Sequence, residues 1–109
     1  MMQLLVAPLL AMSLVSPAAG PCVCAFGTFC AWTGPGFTGD HQENPPPGMV
    51  TRSMLNRSLD TVRVTGTRSG VPVTYCLDPA DDVTDTGTDL RITQVSASET
   101  PCPMPRETA

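Results

Sequence analysis

Cysteines are the residues of this chain whose chemistry is most tightly limited by their spacing. The five are Cys22, Cys24, Cys30, Cys76 and Cys102. Zinc knuckles separate paired cysteines by two or more residues, whereas a single residue separates Cys22 from Cys24, and no second pair of this kind follows. All five lie beyond an apolar N-terminal run. In an exported chain such cysteines form disulfides, so the sequence favours disulfides over a metal site.

Residues that could perform acid–base or nucleophilic catalysis are sparse. The single histidine, His41, lies in the polar segment Asp40–Glu43, and no Gly-x-Ser-x-Gly elbow is present. A metal site formed by Asp40, His41 and Glu43 would need side chains that alternate across an extended chain to converge. We therefore interpret this segment as a solvated surface loop and predict that the protein is not an enzyme.

A second group of carboxylates lies further along the chain, between residues 78 and 89. Its members are Asp78, Asp81, Asp82, Asp85 and Asp89. Their spacing differs from that of an EF-hand loop, and a solvated acidic loop is the simpler interpretation. We expect no cofactor, and calcium is the one ion to consider.

The N-terminal segment, residues 1–19, is typical of a secretory signal. Leu4–Val15 is almost wholly apolar, and small residues follow at Ser16–Ala19, although no Lys or Arg precedes the run. The run is short for a membrane anchor, which takes about 20 apolar residues. A lipoprotein site at Cys22 is disfavoured because Pro21 occupies a position that needs a small residue. We therefore predict a secreted, extracellular protein with no membrane association after cleavage.

The remaining chain is predicted to form one small domain, residues 20–100, followed by a loose tail, residues 101–109, that is held only at Cys102. The net charge is −4, and the basic residues are dispersed arginines without a cluster, which argues against nucleic acid as a partner. A domain of this size buries a modest core and relies on staples, and we expect a monomer.

Alternation of apolar and polar residues is the dominant pattern of the domain. It occurs at Val62–Thr65, at Val71–Tyr75, where Val71, Val73 and Tyr75 share a face, and at the start of Leu90–Val95, while Phe29–Trp32 is a fourth candidate strand. Ten prolines after the predicted signal and the lack of helical periodicity argue against long helices. The fold class is therefore all-β, a small sandwich or barrel-like Greek key.

Glycine and proline mark the connections between these strands. Thr33–Gly36 and Thr65–Gly70 suit tight reversals, because glycine adopts a positive φ at little cost. Asn44–Gly48 contains three prolines and is predicted to be an extended or kinked surface piece.

The most specific motif in the sequence is Trp32-Thr-Gly-Pro-Gly-Phe37-Thr-Gly39. Two aromatics at this spacing, followed by a glycine, predict a folded-over hairpin. One ring packs on the other, and the glycine takes a backbone conformation that side chains disfavour. This pattern is the signature of a βγ-crystallin Greek-key motif. Immediately upstream, Cys24 and Cys30 enclose a short loop with a central glycine, at a separation that a disulfide can close.

Together, the short cysteine loop and the crystallin-like hairpin resemble the peptidase inhibitor family typified by the streptomycete metalloproteinase inhibitor. The resemblance covers residues 24 to about 75 and is strongest from Cys24 to Gly39. It implies a βγ-crystallin-like Greek-key sandwich, a secreted inhibitor of extracellular proteases and a thermolysin-type metalloprotease as target. A second aromatic hairpin, expected at Val64–Val71, is absent from the sequence.

The disulfide pairing follows from the same resemblance. It implies a bridge between Cys24 and Cys30, which leaves Cys76 with Cys102 and makes Cys22 the odd thiol. An exchange of Cys22 for Cys24 stays open.

The segment around Asn56 corresponds to a calcium-binding region of crystallin-like domains, with Asn56, Asp60 and Thr61 as weak candidate ligands. Arg57 stands where such domains carry an acidic or amide residue, and a cation there repels calcium unless it is turned away. We favour the interpretation that Asn56 and Ser58 hydrogen-bond the turn.

The candidate inhibitory loop is Tyr75-Cys76-Leu77-Asp78, closed by the proline at position 79. An inhibitor presents a rigid, preorganised loop, and a disulfide at Cys76 would anchor it. Leu77 would suit a thermolysin-like protease, which favours a bulky apolar residue after the cut. In the competing interpretation Tyr75 and Leu77 are core residues. The alternative function is a non-inhibitory crystallin-like structural or calcium-binding module.

Overall fold

The computed structural model describes residues 24–103 and 107–108. The predicted signal at residues 1–19 and the odd cysteine Cys22 lie outside the described residues.

The described residues form strands and connecting turns, and none of them is helical. The strands are β1 (Phe29–Gly34), β2 (Thr38–Glu43), β3 (Val50–Thr51), β4 (Ser53–Asn56), β5 (Thr61–Arg68), β6 (Val71–Leu77), β7 (Asp82–Val83), β8 (Leu90–Ser98) and β9 (Glu107–Thr108). The all-β prediction is confirmed. The four predicted strands correspond to β1, β5, β6 and β8.

The strands form two antiparallel sheets. Sheet A has the order β2-β1-β4-β7, and sheet B has the order β3-β8-β5-β6-β9. In sheet B, β5 is paired along its length with both β6 and β8, and the β5–β8 ladder contains an irregularity between Thr65 and Gly66. This long central strand fixes which residues of β6 and β8 face the core.

The main core joins apolar residues of both sheets. Sheet A contributes Phe29, Ala31 and Met54, and sheet B contributes Val62, Val64, Val73, Tyr75, Leu77, Leu90 and Ile92. In β5, β6 and the start of β8 these are alternate positions, as expected for strands with one buried face. Val71, predicted to share the face of Val73 and Tyr75, is exposed because it begins β6 directly after the turn of the β5–β6 hairpin.

A second, smaller cluster covers the opposite face of β1. It contains Cys24, Cys30 and Trp32, with Phe37 and Leu55 packed against it. Because side chains of β1 are buried on both of its faces, its first four residues form an unbroken buried run.

The connection between β5 and β6 is shorter than predicted. The β5–β6 turn consists of Ser69 and Gly70, both with positive φ (53° and 78°), and Gly66 lies inside β5. A Cβ at Gly66 would collide with the carbonyl oxygen of Arg91 across the ladder, which explains a glycine in mid-strand. The predicted reversal is thus confined to the last two residues of Thr65–Gly70.

Three segments predicted as loops contain strand residues. His41 belongs to β2 and stacks on Trp32, with 5.7 Å between ring centroids. The acidic segment contains β7, which pairs with β4. The predicted tail is not held only at Cys102, because Glu107 and Thr108 pair with β6 and Glu107 forms an ion pair with Arg68.

Candidate interaction face

Both expected disulfides are present. Cys24 is bonded to Cys30, with a Cα–Cα distance of 6.1 Å, and Cys76 is bonded to Cys102, at 5.7 Å. The first closes the loop that leads into β1 of sheet A, and the second links β6 to the segment after β8. The prediction of these two pairs is confirmed.

The Trp32–Gly39 motif forms a folded hairpin between β1 and β2. The rings of Trp32 and Phe37 meet edge to face with centroids 5.1 Å apart. Gly39 has a φ of 81°, and a Cβ there would collide with the hydroxyl of Thr33. Ring packing and the glycine conformation agree with the sequence-based expectation. Trp32 is fully buried, so we interpret the hairpin as a feature that stabilises the fold.

The segment predicted as an inhibitory loop is not a loop. Tyr75, Cys76 and Leu77 belong to β6 and are buried, and Leu77 is only 1% exposed. Tyr75 and Leu77 occupy core positions because they alternate with residues of the opposite face, and Cys76 is covered through its bridge. The first residue beyond the strand is Asp78. Presenting Leu77 to a protease cleft would require β6 to leave the sheet.

Asp78, which directly follows β6, acts as a hydrogen-bond acceptor. Its Oδ1 accepts from the hydroxyl of Thr61 at 2.9 Å and from the backbone N–H of Cys102 at 2.9 Å. Asp78 therefore joins the start of β5 to the segment that carries the second disulfide.

Two of the three candidate calcium ligands, Asn56 and Thr61, use their side chains in hydrogen bonds within the protein. Asn56 is fully buried, and its amide donates to the carbonyl oxygens of Asp60 and Leu77 at 2.8 and 2.9 Å. Its Oδ1 accepts from both the backbone N–H and the hydroxyl of Ser58. Turn formation by Asn56 and Ser58 is thus confirmed. The side chain of Thr61 donates to Asp78.

A different region presents apolar side chains to solvent. Phe26 and Leu59 are 73% and 77% exposed and lie around one shallow depression of about 200 Å³ together with Arg57, Pro79 and Ala80. We call these five residues the loop face. They come from three connections: the Cys24–Cys30 loop, the β4–β5 turn and the β6–β7 turn.

The Cys24–Cys30 loop is fixed by a tight turn as well as by its disulfide. The carbonyl oxygen of Ala25 accepts from the backbone N–H of Thr28 at 3.2 Å and from its hydroxyl at 2.6 Å. Gly27 supplies the positive φ, 93°, that this turn requires after Phe26. The phenyl ring therefore projects from the tip of a turn that is bonded at its base.

Arg57 joins this loop to the β4–β5 turn. Its carbonyl oxygen accepts from Gly27 at 2.8 Å, and its backbone N–H donates to Thr28 at 2.9 Å. Its guanidinium donates to the carbonyl oxygen of Cys24 at 3.2 Å and lies 5.9 Å from the ring centroid of Phe26. The side chain of Arg57 is thus directed to the cysteine loop.

Asn56 joins the β4–β5 turn to the third connection. Its carbonyl oxygen accepts from Ala80 at 2.7 Å, and its backbone N–H donates to Asp81 at 3.0 Å. Ala80 has a φ of 73°, an unusual conformation for a residue with a side chain, which this hydrogen bond helps to hold. The three connections therefore form one bonded unit.

A second depression, of about 460 Å³, lies beside β6 and is mainly polar. Tyr75, Asp82, Asp85 and Glu107 are among its lining residues. Arg68 donates to the hydroxyl of Tyr75 at 2.6 Å and forms an ion pair with Glu107. Burial, reinforced by the charge of Glu107, raises the pKa of Tyr75 above its ordinary value.

Sequence reasoning missed the loop face. The available signal was an aromatic, Phe26, placed next to glycine inside a loop too short to fold over its own side chain. Leu59 carried a weaker signal, because it lies between polar residues before a strand whose apolar alternation begins only at Val62.

Comparisons with known proteins gave no match to a family model, to a curated protein or to a solved structure. Within residues 24–103 and 107–108, no helix is long and apolar enough to cross a membrane. The same residues contain no group of three or more His, Cys, Asp or Glu side chains arranged to hold a metal ion. The two disulfides are compatible with an extracellular protein.

Proposed function

We propose that this is a secreted protein that binds and inhibits an extracellular protease, and that it does so through the loop face. The observation that carries the proposal is the projection of Phe26 and Leu59 into solvent from connections fixed by a disulfide and by hydrogen bonds. Exposed aromatic anchors on a rigid support are typical of residues that dominate a protein interface, because little entropy is lost when they bind.

The composition of the loop face suits a protein partner. It combines an aromatic, an aliphatic side chain, a proline and one arginine, and aromatics and arginine are enriched at the centres of protein interfaces. The face contains no carboxylate, although the chain is acidic overall.

The protease is proposed from the resemblance in residues 24–39. The edge-to-face packing of Trp32 and Phe37 and the positive φ of Gly39 support a crystallin-like hairpin, and a thermolysin-type metalloprotease is the first candidate target.

The turn at Phe26 also bears on the mode of inhibition. The segment 25–28 is a closed turn, whereas a peptide that adds to a sheet edge is extended. We therefore propose that Phe26 enters a recess of the protease as an anchor and blocks access, without lying across the active site as a substrate would.

Purified mature protein should be assayed against thermolysin-like, subtilisin-like and trypsin-like enzymes. We expect inhibition of at least one, and we expect Phe26→Ala to weaken it about 30-fold, as truncation of an interface anchor does. Val71→Ala is the matched control, because Val71 is 54% exposed but lies on the β5–β6 hairpin, away from the loop face. Absence of inhibition at micromolar concentration, or equal loss with both variants, would refute the proposal.

The alternative, a non-inhibitory structural or calcium-binding module, has its own readout. A protein that binds calcium only in the native state melts at a higher temperature with calcium than with a chelator. Failure to inhibit any enzyme, together with such a shift, would replace the inhibitor by the calcium-binding module.

A further inference from the structure

The outer edge of β8 is open over most of its length. β3 pairs with β8 only at Leu90 and Arg91, and the residues before β3 bond to Ile92. Among the described residues, no strand lies beside Thr93–Ser98 on that side, while β5 occupies the other side. Because alternate residues of an antiparallel strand direct N–H and C=O groups to each edge, this stretch offers unpaired donors and acceptors.

This edge lacks two features that normally prevent strand addition, charged side chains and proline. Thr93–Ser98 contains no charged residue and no proline. The outer strand of sheet A differs, because β2 carries Asp40, His41 and Glu43. Of these two edges, the one in sheet B is therefore open to a further strand.

A cavity of about 410 Å³ adjoins the open edge. Phe29, Val62 and Val95 supply apolar surface to it, and Pro45 also lines it. Val95 and Ala97 face the core side of sheet B, since they pair with the inward residues Val64 and Val62, yet Ala97 is exposed. Sheet A thus leaves the inner face of β8 uncovered at this end.

We propose that the open edge of β8 is a binding site for an extended peptide of a partner protein, which adds to sheet B as a strand. Its backbone pairs with Thr93–Ser98, and one apolar side chain enters the cavity, as in peptide recognition by strand addition. The cavity adjoins the loop face, since Ser58 lines both depressions, but the proposed strand addition does not depend on the proposed inhibition.

The charge of the residues that line the cavity indicates which kind of peptide would bind there. Asp60 is the only ionisable residue that lines the cavity, and it forms no ion pair with any other described residue. The peptide is therefore expected to carry a Lys or Arg beside its apolar residue. A second copy of this chain fits less well, because its own Thr93–Ser98 edge would bring no basic side chain to Asp60.

The test uses a fluorescent, end-capped peptide of alternating valine and threonine with one lysine at its amino end. An antiparallel strand would place that lysine near Ser98, which pairs with Thr61, the neighbour of Asp60. We expect saturable binding by anisotropy and about tenfold weaker binding when glutamate replaces the lysine. A peptide with a central proline should not bind, because it cannot complete the ladder.

Two protein variants localise the site. Ala97→Lys places a positive charge in the cavity that Asp60 lines, where it repels the lysine of the peptide, and should weaken binding at least about tenfold, whereas Ser96→Lys places the same charge on the opposite face of β8 and should have a smaller effect. Melting curves of both variants confirm folding. Lack of binding at millimolar peptide, equal binding of the proline peptide, or self-association of the wild type that Ala97→Lys abolishes would overturn the proposal.

Discussion

Two regions of the molecule place apolar residues beside a disulfide, and they do so with opposite results. In the Cys24–Cys30 loop, Phe26 is 73% exposed, whereas next to Cys76, Leu77 is 1% exposed. The first bridge closes a turn too short to cover its own side chain. The second is attached to a long strand whose alternate residues form the core. A disulfide-bonded cysteine therefore marks a point at which the chain is fixed. Whether the neighbouring side chain is exposed or buried depends on the local alternation of apolar and polar residues.

The largest expected effect of this contrast is on stability. Leu77→Ala removes a fully buried side chain and should lower the free energy of unfolding by about 2–5 kcal/mol. Phe26→Ala removes only exposed surface and the contact with Arg57, and it should cost less than about 1 kcal/mol. Denaturant unfolding of the two variants measures both values. Similar losses would show that Phe26 is part of the core.

The two disulfides should differ in their contributions to the stability of the fold and to the binding of the protease. By the chain-entropy relation, removing the Cys76–Cys102 bridge, with a separation of 26 residues, costs about 3.5 kcal/mol. Removing the Cys24–Cys30 bridge, with a separation of 6, costs about 2.2 kcal/mol. Paired Cys→Ala variants, studied by denaturant unfolding, provide the comparison.

For inhibition the order of the two bridges should be reversed, so that the bridge whose removal costs less stability has the larger effect. We expect Cys24→Ala/Cys30→Ala to weaken inhibition strongly, because it loosens the turn that carries Phe26. The variant without the other bridge should inhibit normally below its melting temperature. Loss of inhibition in the second variant alone would return the function to the Tyr75–Asp78 region.

The smallest effect concerns Tyr75, the only tyrosine in the chain. Burial comes first and the charge of Glu107 second in raising its pKa, so phenolate absorbance should titrate with a midpoint above 10.0. Because this pKa is higher in the folded than in the unfolded protein, the resulting stability is complete below pH 10 and is lost as the pH rises through the folded-state pKa.

Glu107→Gln tests the cause of this shift. It should lower the midpoint without bringing it to the ordinary value, since burial persists. Glu99→Gln removes an equal charge from an exposed position outside the depression and is the control. An unchanged midpoint in Glu107→Gln would contradict the placement of β9 beside β6.

Much of the fold could be predicted from local patterns. The four predicted strands are present because alternation and half-burial are properties of a few neighbouring residues. The Trp32–Phe37 contact was predictable for the same reason, since both rings lie in one short hairpin.

Features that depend on distant partners could not be predicted. β7 and β9 are two-residue strands that exist because β4 and β6 offer edges to them, and nothing in their own sequence marks them. The loop face likewise requires Arg57 and Asn56 to bond three connections that are remote in sequence. The alternation of β6 continues to Leu77, so the interpretation of Tyr75 and Leu77 as core residues is confirmed, whereas the inhibitory role of this segment rested on its cysteine.

Hydrogen exchange of the chain, free and in complex with the enzyme that it inhibits, would show whether the loop face engages the protease. We expect slower exchange at residues 25–28 and 57–59 on binding, with little change in β6. Protection confined to residues 73–78, or the absence of any inhibited enzyme, would refute the proposed role of the loop face.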